Sequence, residues 1–168
     1  YCYSGQCLLS SVIGGRSGNR GRCAQPCRLQ YSSDELNIKN KYLLSPKDLC
    51  SLTILPDVLE AGVYSLKIEG RMKKPEYVAS VVSMYRKYVD MYYSLGREKY
   101  KVSDADINLL KEIYNRGGFT EGFYKKQNDS SIMTIERPNH TGVKVGKIVG
   151  ISKNSMTVKA IGNIDKGD

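Results

Sequence analysis

The middle of the chain alternates apolar and polar stretches in a way that predicts two short strands joined by a helix. Residues 42–44, Tyr-Leu-Leu, are typical of a short buried strand, and Pro46 is placed like a proline at the first position of a helix. Pro56 is predicted to interrupt this helix, and Gly62 to close its second piece. A second strand is expected over residues 63–68. Strand, helix and strand within about 30 residues is the length of a βαβ unit with parallel strands.

The strongest helical signal begins at Pro75 and ends at Gly96. Apolar residues recur there at spacings of three and four, as they do on the buried face of a helix. This stripe consists of Val78, Val81, Val82, Tyr85, Val89 and Tyr92. The helix carries further tyrosines, for which packing in and around a core is favoured over stacking on nucleobases.

The last part of the chain is predicted to contain a helix, a linker and a hairpin. The helix runs from Ser103, which serves as its N-cap, to Asn115. Polar residues 125–136 are expected to form the linker. Residues 142–150 and 155–162 then alternate apolar and polar positions, which predicts a β-hairpin. Because isolated hairpins are marginally stable, this one is expected to begin a small β domain at residues 137–168.

All five cysteines lie in the first third of the 168-residue chain, in sequence rich in glycine and arginine. This clustering argues for a shared site, because thiolates are good ligands for zinc and for iron–sulfur clusters. The alternative is a set of buried cysteines that act as small apolar side chains. A disulfide framework is disfavoured, because the number is odd and no signal peptide is visible.

The formal net charge of +9 at pH 7 favours a polyanionic partner, with RNA as the first candidate. The alternative is a basic surface that serves solubility alone. No apolar run approaches the ~20 residues needed to cross a bilayer, so a soluble protein without a membrane partner is expected. Cysteines that act as thiolate ligands suit a reducing cytoplasm.

Four ordered motifs carry a resemblance to a known family. They are Tyr-Ser-Gly-Gln-Cys-Leu-Leu-Ser-Ser at 3–11, Gly-Asn-Arg-Gly-Arg-Cys-Ala-Gln-Pro-Cys-Arg at 18–28, Tyr-Leu-Leu-Ser-Pro-Lys-Asp-Leu-Cys at 42–50 and Ser-Leu-Lys-Ile-Glu-Gly-Arg-Met-Lys at 65–73. Together they closely resemble the U32 peptidase family, also called collagenase-like proteases. The stretch at 137–147 is similar to the start of the extra C-terminal region of longer members. The resemblance therefore implies a fragment of a longer protein.

The resemblance also implies a fold. Residues 1–124, with the cysteine-rich loop at 1–40, would be the C-terminal part of a TIM-like barrel, followed by helices and by the start of a small β domain. The residue pattern alone gives only a mixed α/β class. Because a partial barrel leaves a strand edge unpaired, the chain is expected to associate with itself.

For several relatives the resemblance implies RNA hydroxylation. The reaction is an oxygen-independent, prephenate-dependent hydroxylation of a pyrimidine in tRNA or ribosomal RNA, with a [4Fe-4S] cluster on four cysteines. Cys7, Cys23 and Cys50 match the family's ligands, and Cys27 is a further candidate. Family members usually carry another cysteine seven positions before Cys7, from which Cys2 is offset by two. This chain alone is therefore expected to be inactive and to hold no stable cluster.

Lys67, Glu69 and Arg71 are the candidate catalytic residues. On a strand Lys67 and Glu69 would point to the same face, and Arg71 would follow at its carboxyl end, where parallel α/β folds carry active sites. Arg71 is also the candidate for binding a carboxylate co-substrate such as prephenate. The alternative is an internal ion pair between Lys67 and Glu69.

Four arginines of the glycine-rich loop are candidate RNA contacts, because flexible arginine–glycine sequence suits phosphate binding. They are Arg16, Arg20, Arg22 and Arg28. The alternatives are a solvated loop, or arginines that stabilise cluster thiolates by their charge.

Two further functions stay open beside RNA hydroxylation. Peptide hydrolysis by a Cys–His pair would have to use His140, the single histidine of the chain. His-Glu-x-x-His and Gly-x-Ser-x-Gly are both absent from the sequence. The third possibility is an RNA-binding module without catalytic activity.

Overall fold

The computed structural model describes residues 7–70, 73–125 and 130–161. The α-helices are α1 (Leu9–Gly14), α2 (Leu55–Glu60), α3 (Pro75–Leu95) and α4 (Asp104–Ile113). The strands are β1 (Tyr31–Ser33), β2 (Ile38–Lys41), β3 (Asp48–Leu49), β4 (Phe119–Thr120), β5 (Gly146–Ile151) and β6 (Met156–Ala160). Single 3₁₀ turns lie at Gly18–Arg20, Pro26–Arg28, Leu52–Ile54, Arg97–Lys99 and Ser130–Ile132. The predicted mixed α/β class is confirmed.

The strands form three separate two-stranded ladders in the described part of the chain. β1 pairs with β2, and β5 with β6, both antiparallel. β3 and β4 are parallel, with Asp48 opposite Phe119 and Leu49 opposite Thr120. The N–H of Cys50 continues this ladder by donating to the carbonyl of Thr120 at 3.0 Å. This short parallel pair therefore joins the cysteine-containing part of the chain to the segment after α4.

The predicted strand at residues 42–44 and the predicted helix from Pro46 are both wrong. Residues 43 and 44 form a turn, in which the N–H of Ser45 donates to the carbonyl of Tyr42 at 2.9 Å. Pro46 lies in an isolated antiparallel bridge with Met133. The backbone groups here bond to residues almost 90 positions away, which local patterns do not reveal. The helix begins instead at Leu55, with Pro56 in its first turn, where the missing N–H costs nothing.

The second predicted strand is also wrong, and with it the βαβ unit. Gly62, with a φ of 79°, closes α2 as predicted. Residues 63–70 then have no regular secondary structure, and Tyr64 is fully exposed. The parallel partner of β3 in the described structure is β4 rather than this segment. Lys67 and Glu69 therefore do not lie on a strand.

The helix α3 is confirmed, but its buried face is rotated from the predicted stripe. Met84 and Tyr88 are buried, whereas Val78 and Val82 are exposed. Tyr85 and other stripe residues pack at the edge of the core. The core itself contains Cys50, Leu52, Leu55, Met84, Tyr88 and Leu110. The face of α3 that packs on α2 and α4 is thus the face that carries Tyr88. The spacing of apolar residues along the helix does not specify which face is buried.

The helix α4 and the hairpin are confirmed as well. Ser103 caps α4 by accepting a hydrogen bond from the N–H of Asp106 at 3.1 Å. The hairpin strands β5 and β6 leave most of their apolar side chains exposed. Within the predicted linker, Ile132 and Thr134 are buried. None of the helices in the described ranges is long and apolar enough to cross a membrane.

Alanine at Gly117 is expected to destabilise the protein more than alanine at Gly118. Both glycines have positive φ angles, 74° and 96°, so either substitution costs about 1–2 kcal/mol of backbone strain. Only at Gly117 would the new Cβ overlap the buried side chain of Thr134, lying 2.7 Å from its Cβ. Overpacking adds roughly 1–3 kcal/mol. Urea unfolding of the two variants measures the difference, and equal losses would contradict this packing.

Stability is expected to fall when acid protonates Asp106. Its carboxylate accepts hydrogen bonds from Lys87 Nζ and the Tyr88 hydroxyl, both at 2.6 Å. These bonds lower the pKa of Asp106 to about 2. Because the folded-state pKa is depressed, the stabilisation is full above the unfolded-state value and is lost as the pH falls from about 4 towards 2. Asp106→Asn should flatten this part of the pH dependence of the unfolding free energy, whereas Asp90→Asn in an exposed pair on α3 should leave it largely unchanged.

Candidate functional site

The cysteine loop folds back on itself through two polar contacts. The N–H of Ala24 donates to the buried Ser10 hydroxyl at 2.9 Å, which ties the loop to α1. Arg16 Nε donates to the carbonyl of Arg22 at 2.9 Å. These bonds hold the start and the end of the loop together.

Cys7 and Cys23 are brought close together by this folding, and both are exposed. Gly18 lies between them: a Cβ placed there would be 3.7 Å from Cys23 Cβ and 3.9 Å from the Cys7 carbonyl oxygen. Cys23 Sγ also accepts a hydrogen bond from the N–H of Gln25 at 3.3 Å. The backbone of Cys7 and the side chain of Cys23 therefore both lie next to Gly18.

Cys27 and Cys50 have different surroundings. Cys27 is half-buried in the 3₁₀ turn and is close enough to Arg28 and Arg116 to interact with their charges. Cys50 lies in the core, where burial raises the pKa of its thiol. Among the described residues, no three His, Cys, Asp or Glu side chains are grouped as metal ligands would be. Cys2 lies outside the described residues.

An ion pair between Asp48 and Arg116 lies beside the cysteine loop. Arg116 Nε donates to the two carboxylate oxygens of Asp48 at 3.0 and 3.1 Å, and a second guanidinium nitrogen also donates to it. Both side chains are only about one fifth exposed. Burial alone would lower the pKa of Arg116, but its bonds to Asp48 raise it above the ordinary value. This pair fixes the start of β3 against the segment that follows α4.

Arg28 lies next to this pair and has neutral hydrogen-bond partners in the described structure. Its Nη1 donates to the Pro46 carbonyl at 2.8 Å and to the buried Ser45 hydroxyl. Burial, followed by repulsion from Arg116, lowers the pKa of Arg28. Two guanidinium groups thus share the neighbourhood of a single carboxylate.

Tyr114 connects this cluster to the segment after residue 130. The imidazole of His140 stacks on its ring with centroids 5.3 Å apart, and Lys73 Nζ lies 2.9 Å from the ring centroid. Arg116 Cζ is 5.8 Å from the same centroid. His140 Nδ1 accepts a hydrogen bond from the N–H of Asn115 at 3.0 Å. Tyr114 is therefore flanked by three nitrogen-bearing side chains.

A small cavity of about 40 Å³ opens beside the cluster. Asp48, Tyr77 and Tyr114 contribute polar groups to its lining. The rest of the lining is mainly apolar and consists of Leu49, Cys50, Val81, Tyr85, Leu110 and Phe119. The cavity is large enough for a compact chemical group.

Glu69 is the predicted catalytic residue that lies near this region. Lys67 and Glu69 are both exposed. Burial, with the charges of Asp48 and Glu69, raises the pKa of Tyr77, which shows that Glu69 is near the cavity. Arg71 lies outside the described residues.

The arginines of the loop divide into two groups. Arg16, Arg20 and Arg22 are exposed, as RNA contacts would be, whereas Arg28 is partly buried in the cluster. Sequence reasoning missed Lys73, Tyr114 and Arg116. The available signal was the Asn-Arg-Gly-Gly stretch that follows α4, where a charged residue stands between a helix end and two glycines.

Comparison with known proteins gives the family. The model of peptidase family U32 matches residues 1–134. The chain is 44% identical over 131 residues to tRNA hydroxylation protein P1 of Bacillus subtilis, covering 72% of this chain and 31% of the relative. It is 39% identical over 128 residues to a collagenase of Porphyromonas gingivalis, covering 74% and 35%. It is 31% identical over 175 residues to the 23S rRNA 5-hydroxycytidine C2501 synthase of Escherichia coli, covering 99% and 26%.

The chain thus spans about a third of the length of these relatives. No solved structure matches it. The family match covers the cysteine loop, β3, β4 and the Asp48–Arg116 pair that lies between them. With most of its residues matched by one model, and with relatives above 30% identity over more than two thirds of its length, the chain belongs to peptidase family U32.

Proposed function

We propose that this chain is part of a cytoplasmic enzyme that hydroxylates a pyrimidine of tRNA or ribosomal RNA, with prephenate as co-substrate. The observation that carries the proposal is the exposed pair Cys7 and Cys23 on a loop that falls within the match to relatives named for RNA hydroxylation. In the same proposal, residues 1–124 form the C-terminal part of a TIM-like barrel. Exposed thiols on one folded loop are suited to bind a cluster near an RNA surface.

Cys7, Cys23 and Cys27 are the candidate ligands of a [4Fe-4S] cluster in this proposal, and because the described structure does not group three of them as ligands, the loop would have to rearrange to bind it. All three come from the loop, and two of them flank Gly18. The chemistry that such a cluster supplies when bound is the transfer of single electrons. Cys50 fits the role poorly, because it is buried in the core and burial raises the pKa of its thiol. The sequence names both Cys50 and Cys27 as candidates, and this proposal takes Cys27.

Substrate contacts would come from two exposed groups of residues. Arg16, Arg20 and Arg22 would contact RNA phosphates, which needs charge and flexibility but no fixed geometry. Lys67 and Glu69 are both exposed, and Glu69, whose charge acts on Tyr77, would lie at the edge of the reaction site. The role of Arg71 stays a prediction of the sequence.

Replacement of Cys23 is expected to abolish RNA hydroxylation by the full-length enzyme, whereas replacement of Cys50 is expected to leave it. Cys23→Ser removes a cluster ligand, while Cys50→Ala removes one side chain from the core and costs stability of roughly 1–3 kcal/mol. Iron content of anaerobically purified protein, and mass spectrometry of RNA from a complemented deletion strain, measure both. Normal RNA with Cys23→Ser would contradict the proposal. Loss of iron from a folded Cys50→Ala protein would restore Cys50 as a ligand.

RNA binding is expected to weaken with salt, and less steeply when the loop arginines are removed. The double variant Arg20→Ala/Arg22→Ala should reduce the slope of log K against log salt by about 1.4–1.8, because two phosphate contacts are lost. The variant Arg86→Ala/Lys101→Ala removes the same charge from exposed positions elsewhere and should keep the slope. Fluorescence anisotropy with a labelled RNA at several salt concentrations measures this. Equal slopes for the two double variants would exclude the loop as the RNA contact.

Peptide hydrolysis is a second candidate, because two relatives are named collagenase. His140 would have to act with a cysteine, yet its ring stacks on Tyr114 and its Nδ1 bonds to the Asn115 backbone. Gelatin cleavage by the full-length enzyme separates the two functions. If His140→Ala destroys cleavage while Cys23→Ser leaves the RNA profile normal, the peptidase function is the correct one.

A further inference from the structure

The region around Tyr114 holds more positive than negative charge among the described residues. Arg28, Arg116 and Lys73 supply three cations. Asp48 is the carboxylate bonded within the cluster, and it bonds Arg116 through both oxygens. The carboxylate of Glu69 lies outside this cluster, where its charge reaches Tyr77. Among the described residues, one carboxylate thus serves two guanidinium groups, the Cys27 thiol is within reach of both, and the Lys73 ammonium lies on the Tyr114 ring.

Burial makes this imbalance costly. The Arg116 side chain is 20% exposed, and Arg28 bonds to the fully buried Ser45. Cations removed from water lose hydration, and neutral partners such as a serine hydroxyl replace it only in part. Lys73 Nζ rests on the face of a tyrosine ring rather than against a carboxylate. An added anion would therefore be stabilised here far more than on an open surface.

We propose that Arg28, Arg116 and Lys73 form a binding site for the carboxylate or phosphate group of a small molecule. Guanidinium groups bind such groups through parallel N–H bonds, and the Lys73 ammonium adds a point charge. The cavity of about 40 Å³ that Asp48 and Tyr114 help to line has room for only a small group, which suits a compact anion better than a ribose–phosphate chain.

The site differs from the one that the sequence predicted for a carboxylate. It uses none of Lys67, Glu69 and Arg71, and it draws instead on Arg28 of the cysteine loop, on Lys73 just before α3 and on Arg116 in the segment after α4. Arg28 directly follows Cys27, so a bound anion would lie beside the cysteine loop. Binding here needs neither RNA nor an iron–sulfur cluster, so its failure and the failure of the proposed function are separate results.

NMR of the full-length enzyme with ¹⁵N-labelled arginine tests the site directly. Malonate and inorganic phosphate are titrated separately at constant ionic strength. The Nε–H signals of Arg28 and Arg116 should shift and saturate, while those of Arg86 and Arg97, in exposed ion pairs, should not. Saturation with malonate alone identifies a carboxylate site, and saturation with phosphate alone a phosphate site; either supports the proposal.

Variants at Arg28 provide the second test. Arg28→Gln should weaken binding of the effective probe about tenfold or more, which corresponds to the loss of one charge-assisted hydrogen bond. Arg28→Lys should recover part of this loss, and Arg86→Gln should bind like the original chain. Variants are made at Arg28 rather than at Arg116, because replacing Arg28 leaves the ion pair between Arg116 and Asp48 in place. The proposal is overturned if neither probe gives saturable shifts. If a single-stranded RNA oligonucleotide then shifts the signals of Arg28 and Arg116, the two arginines bind RNA instead.

Discussion

The ion pair between Asp48 and Arg116 is the interaction on which the arrangement of the site depends. It joins residues 68 positions apart, at the start of the parallel ladder between β3 and β4. Because both side chains are mostly buried, removal of either would leave a charge without its partner in a poorly hydrated place, which is strongly destabilising. The same pair fixes the backbone next to Ser45 and Pro46, where Arg28 is bound. The 3₁₀ turn that carries Arg28 is thereby held near the end of α4.

Asn115 extends this organisation to the later part of the chain. It is 2% exposed, and its side-chain amide donates to the carbonyls of Lys111 and Gly142 at 2.8 and 3.0 Å. Its side-chain oxygen accepts from the Thr141 hydroxyl at 2.6 Å and from the N–H of Gly118 at 2.9 Å. A buried amide with all these partners specifies one arrangement, because any other would leave polar groups unpaired. The segment that leads to β5 is in this way attached to α4, and His140 is positioned on Tyr114.

The fold also divides the cysteines, which the sequence treats as one group. Cys7 and Cys23 face solvent on the loop, whereas Cys50 packs with Leu52 and Tyr88 in the core. A cysteine can serve as a small apolar side chain or as a thiolate ligand, and its surroundings decide between the two. Cys50 therefore serves as a small apolar side chain, and the ligand interpretation stays a proposal for the exposed cysteines. Cys27 lies between these extremes, half-buried and within reach of two arginine charges.

The sequence by itself determined the elements whose signals are local. Pro75 and Gly96 bound α3, Ser103 caps α4, and alternation of apolar residues marks the hairpin of β5 and β6. Each of these depends on contacts a few residues apart, so the pattern carries the answer. The mixed α/β class and the family motifs followed from the same kind of information.

Only the tertiary structure decided what depends on distant partners. The strand predicted at residues 42–44 is a turn, because the backbone on both sides of it, at Tyr42 and at Ser45 to Lys47, bonds to residues 132–135. The strand predicted at residues 63–68 has no ladder partner in the described structure. The approach of Arg28 to Arg116, and the burial of Cys50, likewise involve residues that no local spacing relates. Charge and residue type can be read along the chain, but the hydration that each charge loses is fixed only when the chain folds, because burial depends on every neighbour at once.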